Sequence, residues 1–173
     1  TAAKLLCTTC YTGNNATLSH FEQCTKTAPS LIHIATHGIF QAPVVKEDTP
    51  DWNSSFQVMD NSGLLLSGNE LLSCNYITTL NLSDTKLVIL SACDTGKALT
   101  HSAEGVYGLR RAFRLAGCHS MILSLWSVDD VSGCFFMETF YRHLCDDFTN
   151  AGEAFSLALK ELRSSYPHPY YWA

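Results

Sequence analysis

The chain has 173 residues, 46% of them hydrophobic, and 11 Lys and Arg against 16 Asp and Glu give a formal net charge of −5. A domain of this length buries roughly two-thirds of its extended-chain surface, so it needs neither metal nor disulfides to fold. The acidic balance gives general nucleic-acid binding little support, and no apolar run approaches the ~18 residues of a membrane-spanning helix.

In chain order, the opening Thr1-Ala2-Ala3-Lys4 and the few apolar residues after it are too short for a signal peptide. Leu5-Leu6-Cys7 reads as a short strand, residues 8–16 as a polar turn region, and Thr17 to Cys24 as a short helix opening at Thr17. Leu31 to Ala35 is a strand that ends at Thr36-His37-Gly38, where glycine stops it or forces a turn. Residues 41–55, with Pro43, Glu47, Asp48, Pro50 and Asp51, read as an acidic loop. Phe56 to Asp60 alternates and Asn61-Ser62-Gly63 turns into Leu64-Leu65-Leu66, which predicts a hairpin. Ser67 to Glu70 then leads into a brief helix through about Cys74.

Leu87-Val88-Ile89-Leu90 is apolar without alternation, the pattern of a central parallel strand covered on both faces. Val106, Leu109, Ala112, Phe113 and Ala116 recur at helical spacing over Glu104–Ala116, and Gly117 supplies a C-cap. Met121 to Leu125 is a third core strand, and helical patterns resume over Val131–Leu144 and Glu153–Arg163. Strands alternating with helices predict an α/β domain with a largely parallel sheet. Catalytic groups in such sheets gather beyond the carboxyl ends of the strands. His37, Cys93 and the 126–130 segment all follow a predicted core strand.

Cys93 lies on the Ser91-Ala92-Cys93-Asp94-Thr95-Gly96 turn, and a nearby imidazole would lower its thiol pKa or take its proton. His37 has the matching placement, and the backbone N–H of Gly38 behind it would stabilise an oxyanion. The plainer alternative makes Cys93 a packed cysteine and His37 a turn histidine, which strand-end placement alone leaves open. His33, inside the strand, reads as a packed, hydrogen-bonded histidine. Arg110, Arg111 and Arg114 read as a solvated helix face. Cys118, Cys134 and Cys145 sit beside apolar residues and read as small buried hydrophobes, which fits a reducing, intracellular compartment. Cys7, Cys10, His20 and Cys24 can be written as four zinc ligands, though the spacing is unusual. Asp129 or Asp130 would cap the helix beginning near Val131, or face substrate.

Ile34-Ala35-Thr36-His37-Gly38 together with Leu90-Ser91-Ala92-Cys93-Asp94-Thr95-Gly96 resembles the CHAT family, caspase-like domains often found behind tetratricopeptide repeats. Further matching segments follow in order: Gly63-Leu64-Leu65-Leu66-Ser67-Gly68, Gly105-Val106-Tyr107-Gly108-Leu109-Arg110-Arg111-Ala112-Phe113, Ser124-Leu125-Trp126-Ser127-Val128-Asp129-Asp130, and the ending His168-Pro169-Tyr170-Tyr171-Trp172-Ala173. The resemblance implies a caspase-like three-layer α/β/α sandwich with a largely parallel sheet. It would form a single domain over residues 1–173, truncated at both ends as a fragment of a larger protein.

It also implies a cysteine endopeptidase in which Cys93 is the nucleophile and His37 transfers the proton, with the Gly38 and Cys93 N–H groups as oxyanion donors. The position after the cysteine is usually glutamate in the family and is Asp94 here. Trp126, Asp129 and Asp130 would line the substrate site, the acids favouring a basic P1 residue. No cofactor and no metal are implied. The expected partners are a polypeptide substrate and an upstream regulatory or tetratricopeptide region. No nucleic acid or membrane partner is expected, a homodimer through an exposed sheet edge is allowed, and the expected location is cytoplasmic. The alternative is a non-catalytic interaction or signalling module that keeps the caspase-like fold.

Overall fold

A computed structural model of the chain describes residues 8–39, 62–91, 102–124, 128–146 and 150–172. These fall in two compact units, Tyr11–Ser127 and Val128–Ala173 with Thr1–Cys10. The expected strand at Leu5–Cys7, the loop 41–55, and Phe56–Asp60 lie outside the described residues.

In the Tyr11–Ser127 unit, helix α1 (Leu18–Thr25) opens at Thr17, whose side chain accepts the N–H of His20 at 3.3 Å. Strands β1 (Leu31–Ala35), β5 (Leu87–Ser91) and β6 (Ser120–Leu123) form a parallel sheet in the order β1-β5-β6. The second sheet is antiparallel, in the order β2-β3-β4, with β2 at Gly38–Ile39, β3 at Gly63–Leu65 and β4 at Leu71–Ser73. Helices α2 (Cys74–Thr78) and α3 (Ser102–Leu115) complete the unit. This mixed α/β fold, with its parallel sheet, agrees with the caspase-like class expected from the sequence.

The core follows from pleat parity. Registered partners in a parallel sheet share a face, so Ile32, Ile34, Val88, Leu90, Met121 and Leu123 point the same way. Leu109, Ala112, Phe113 and Ala116, spaced i, i+3, i+4 and i+7, bring the apolar stripe of α3 into one cluster with them. Leu87 and Ile89, on the opposite face, are buried as well, which is why β5 shows no polar alternation. Gly117 ends α3 at a φ of +102°. Its N–H bonds the carbonyl of Arg114 at 3.1 Å, and the N–H of Cys118 reaches the carbonyl of Phe113 at 3.1 Å, a closure that needs the left-handed residue.

The partner expected for Leu64 and Leu65 in a hairpin, residues 56–60, lies outside the described residues, and β3 is paired with β2 on one edge and with β4 on the other. Gly63 permits the close approach: a Cβ there would stand 2.2 Å from the carbonyl oxygen of Leu72. One expectation is corrected in this unit. The segment after Ser67 is not a helix running to Cys74 but a short turn, then β4, with α2 starting only at Cys74. The Ser73 side chain caps α2, accepting the N–H of Tyr76 at 3.1 Å.

In the Val128–Ala173 unit, α4 (Asp130–Asp146) and α5 (Ala151–Ser165) pack together. Phe136 meets Phe155 edge-on at 5.5 Å. Glu161 on α5 accepts from Arg142 at 2.7 Å and pairs with His143 at 2.8 Å, both on α4. The chain after α5 folds back on its own rings: Tyr166 packs against Phe135 and Tyr171, and the Arg163 guanidinium lies 4.2 Å from the centre of the Trp172 ring. No helix among the described residues is long and apolar enough to cross a membrane.

Candidate functional site

The decisive relation is register. β1 and β5 are adjacent and parallel, and their last paired rung joins Ala35 to Ser91. His37 follows Ala35 by two residues. The two candidate groups lie 56 positions apart in sequence, yet their strands run side by side as far as the Ala35–Ser91 rung. Cys93 itself, with its neighbour Asp94, lies outside the described residues.

The backbone after β1 is clipped to the small sheet. The N–H of Leu65 donates to the carbonyl of His37 at 2.9 Å, and the Thr36 hydroxyl donates to the carbonyl of Leu65. His37 is exposed above this clip while Gly38 is buried beside it. β1 ends ahead of Gly38, as expected, and Gly38 then starts β2, paired with Leu64. In an antiparallel pair the backbone groups of successive residues point to opposite edges. Since the His37 carbonyl points at β3, the N–H of Gly38 points to the other edge of β2.

His33 matches the expectation of a packed, bonded histidine. Its Nε2 lies 3.1 Å from the Ser91 hydroxyl, and burial lowers its pKa. The remaining cysteines separate by burial. None of the six described cysteines is in a disulfide. Burial pushes the Cys74 thiol up to about 12, and it raises that of Cys118 too, so both are protonated and poor nucleophiles near pH 7. Cys118 is buried as expected, but Cys134 and Cys145 are exposed. Their apolar sequence neighbours misled, because adjacent residues on a helix point about 100° apart.

Asp129 is the helix cap of the acidic pair. Its Oδ2 accepts the N–H of Ser132 at 2.9 Å, and its carbonyl accepts the N–H of Gly133 at 2.9 Å. Asp130 is exposed in the first turn of α4. Trp126 lies outside the described residues. Arg110, Arg111 and Arg114 are all exposed as expected, and Arg114 also folds back to donate to the carbonyl of His119 at 2.7 Å, closing the end of α3. That role had no sequence signature, because its acceptors are backbone carbonyls.

Two of the four residues that could be written as zinc ligands, His20 and Cys24, have other engagements. His20 stacks on Tyr11 at 4.7 Å and bonds the carbonyl of Asn15 through Nδ1 at 2.8 Å. The Cys24 thiol is hydrogen-bonded to the Tyr11 phenol, which raises the phenol's pKa. Cys7 is outside the described residues, and among those described no three His, Cys, Asp or Glu are grouped to hold a metal ion.

Comparison with known proteins gives a family match to the CHAT domain over residues 2–173. The chain belongs to the CHAT domain family. One CHAT match spans both compact units. Tetratricopeptide repeat protein 28 of Homo sapiens is 30% identical over 131 residues, covering 75% of this chain. The same protein of Mus musculus is 31% identical over 131 residues, again 75% of this chain. The chain spans 5% of the length of either relative. No solved structure matches. The CHAT family is related to cysteine peptidases, and these relatives are tetratricopeptide repeat proteins.

Proposed function

We propose that this CHAT domain is a cysteine endopeptidase using a His37–Cys93 dyad. The observation that carries this reading is the Ala35–Ser91 rung, from which both residues are two positions removed on neighbouring parallel strands. Two residues of chain span at most about 7 Å, so covalent geometry keeps each group close to its own side of that rung. In the reaction the Cys93 thiolate attacks the scissile carbonyl, and the oxyanion is met by the N–H groups of Gly38 and Cys93. The outward turn of the Gly38 N–H supports its part. His37 then protonates the departing amine, leaving a thioester, and takes a proton from the water that hydrolyses it.

The cap made by Asp129 leaves Asp130 as the acid that meets a basic P1 side chain, with Trp126 as an apolar wall. The substrate is a polypeptide. The relatives support a parent protein with a tetratricopeptide region. We place it in the cytoplasm, and an exposed sheet edge would allow two copies to pair.

An electrophilic peptide probe with arginine at P1 tests the reading. Wild-type protein is labelled, Cys93→Ala is not, and His37→Ala is labelled at least about a hundredfold more slowly. Equal labelling of wild type and Cys93→Ala would overturn it and favour the non-catalytic module.

A further inference from the structure

His33 is a half-buried titratable group on the strand leading to His37, and the dyad chemistry makes no use of it. On β1 its side chain shares a face with Leu31 and Ala35, opposite the face that Ile32 and Ile34 turn to the α3 core. Its registered partner is Ile89, while Ser91 pairs with Ala35, so His33 and Ser91 are diagonal neighbours across the two strands. The 3.1 Å contact from His33 Nε2 to Ser91 Oγ therefore crosses between β1 and β5 at their carboxyl ends. An apolar residue would pack on this face without desolvating an imidazole. The ladder ends at the Ala35–Ser91 rung, so this side-chain bond is a tie beyond the backbone at the point where both strands release the proposed dyad.

We propose that His33 is a positioning residue: by holding Ser91 it fixes the end of β5 against β1 and so sets the approach of Cys93 to His37. This rests on the dyad reading above. Catalytic groups must be held to within about 0.5 Å of productive geometry, and fraying of the last rung would exceed that. Its effect passes through Ser91, which it holds at 3.1 Å, to the residues that follow.

The test measures the rate of Cys93 labelling by the same peptide probe, well below the melting temperature of each variant. His33→Leu and Ser91→Ala should each slow labelling about tenfold, the effect of removing one partner of a half-buried hydrogen bond. The double variant should be no slower than either single one, because both remove the same bond. His33→Gln, whose amide places a polar atom near the position of Nε2, should restore most of the rate. Should His33→Leu fail to fold, the smaller Ser91→Ala change and the His33→Gln rate carry the comparison. Cys93-dependent labelling that stays within about twofold of wild type in Ser91→Ala, or losses that multiply in the double variant, would overturn the positioning role alone. Labelling that does not depend on Cys93 in the wild type would overturn the dyad and this role together.

Discussion

Replacing Asp129 by alanine should weaken the start of α4 and leave the rest of the fold intact. The perturbation is confined to one carboxylate. The bonds its backbone carbonyl accepts, from Gly133 N–H at 2.9 Å and the Ser132 hydroxyl at 3.0 Å, survive any substitution of the side chain. What is lost is the 2.9 Å bond from the Ser132 N–H to Oδ2, together with a negative charge at a helix N-terminus. Loss of a cap costs about 1 kcal/mol, within a range of roughly 0.5–2, and loss of the charge at the dipole adds about 0.3–1 kcal/mol. Asp129→Ala should therefore cost about 1.5 kcal/mol, and each kcal/mol lowers the melting temperature of a chain this size by about 2–4 °C.

Asparagine keeps the acceptor and loses the charge, so Asp129→Asn should remain within about 1 kcal/mol of wild type. Urea titration at neutral pH on the three proteins measures both differences. An alanine variant as stable as wild type would refute the cap. An asparagine variant as unstable as the alanine one would show that charge, not the hydrogen bond, is what holds the turn. The stable asparagine variant then separates capping from specificity: Asp129→Asn should cleave Arg-P1 and Asp-P1 peptides in the wild-type ratio, whereas Asp130→Asn should lower that ratio.

Glu161 accepts from His143 and Arg142, and those bonds hold its pKa below the ordinary carboxylate value. A carboxylate depressed in the fold stabilises above its unfolded pKa and loses that contribution as pH falls through the folded one. Glu161→Gln should melt below wild type at pH 7, and the gap should close towards pH 3; a constant gap would count against the ion pairing. Gly63→Ala would drive a Cβ to 2.2 Å from the Leu72 carbonyl, so β4 must move away from β3, at a cost of about 1–3 kcal/mol or more. Because Leu65 of β3 holds the His37 carbonyl, probe labelling should slow along with the drop in melting temperature, and an unchanged rate would uncouple the clip from the site. With iodoacetamide on the native protein at pH 8, Cys10, Cys134 and Cys145 should alkylate readily while Cys74 and Cys118 stay protected until urea unfolds the chain. Peptide mapping reads the pattern, and rapid native modification of Cys74 would contradict its burial.

The parts of the fold legible in the sequence are those whose signal is long and local. Leu87 to Leu90 announces a strand covered on both faces, and the spacing of Leu109, Ala112, Phe113 and Ala116 announces the helix that covers one of them. Asp129, three residues before Ser132, carries its capping role in its residue type and position. The small antiparallel sheet was hidden because two or three residues are too few to show a period of two. Its partners also come from distant segments, so nothing local marks Gly38 as a strand residue rather than a stop. The same limit applies to the site. Residue chemistry and strand-end placement nominate His37, but only the pairing of Ala35 with Ser91 gives the two strand ends a common level. Ser91 illustrates the limit most sharply. In sequence it is a polar residue closing an apolar run, whereas in space its hydroxyl is the partner of His33 on the neighbouring strand. Polar atoms at the rim of a buried sheet take their meaning from a partner that sequence distance conceals, and a cross-strand tie next to a proposed nucleophile is where such a partner matters most.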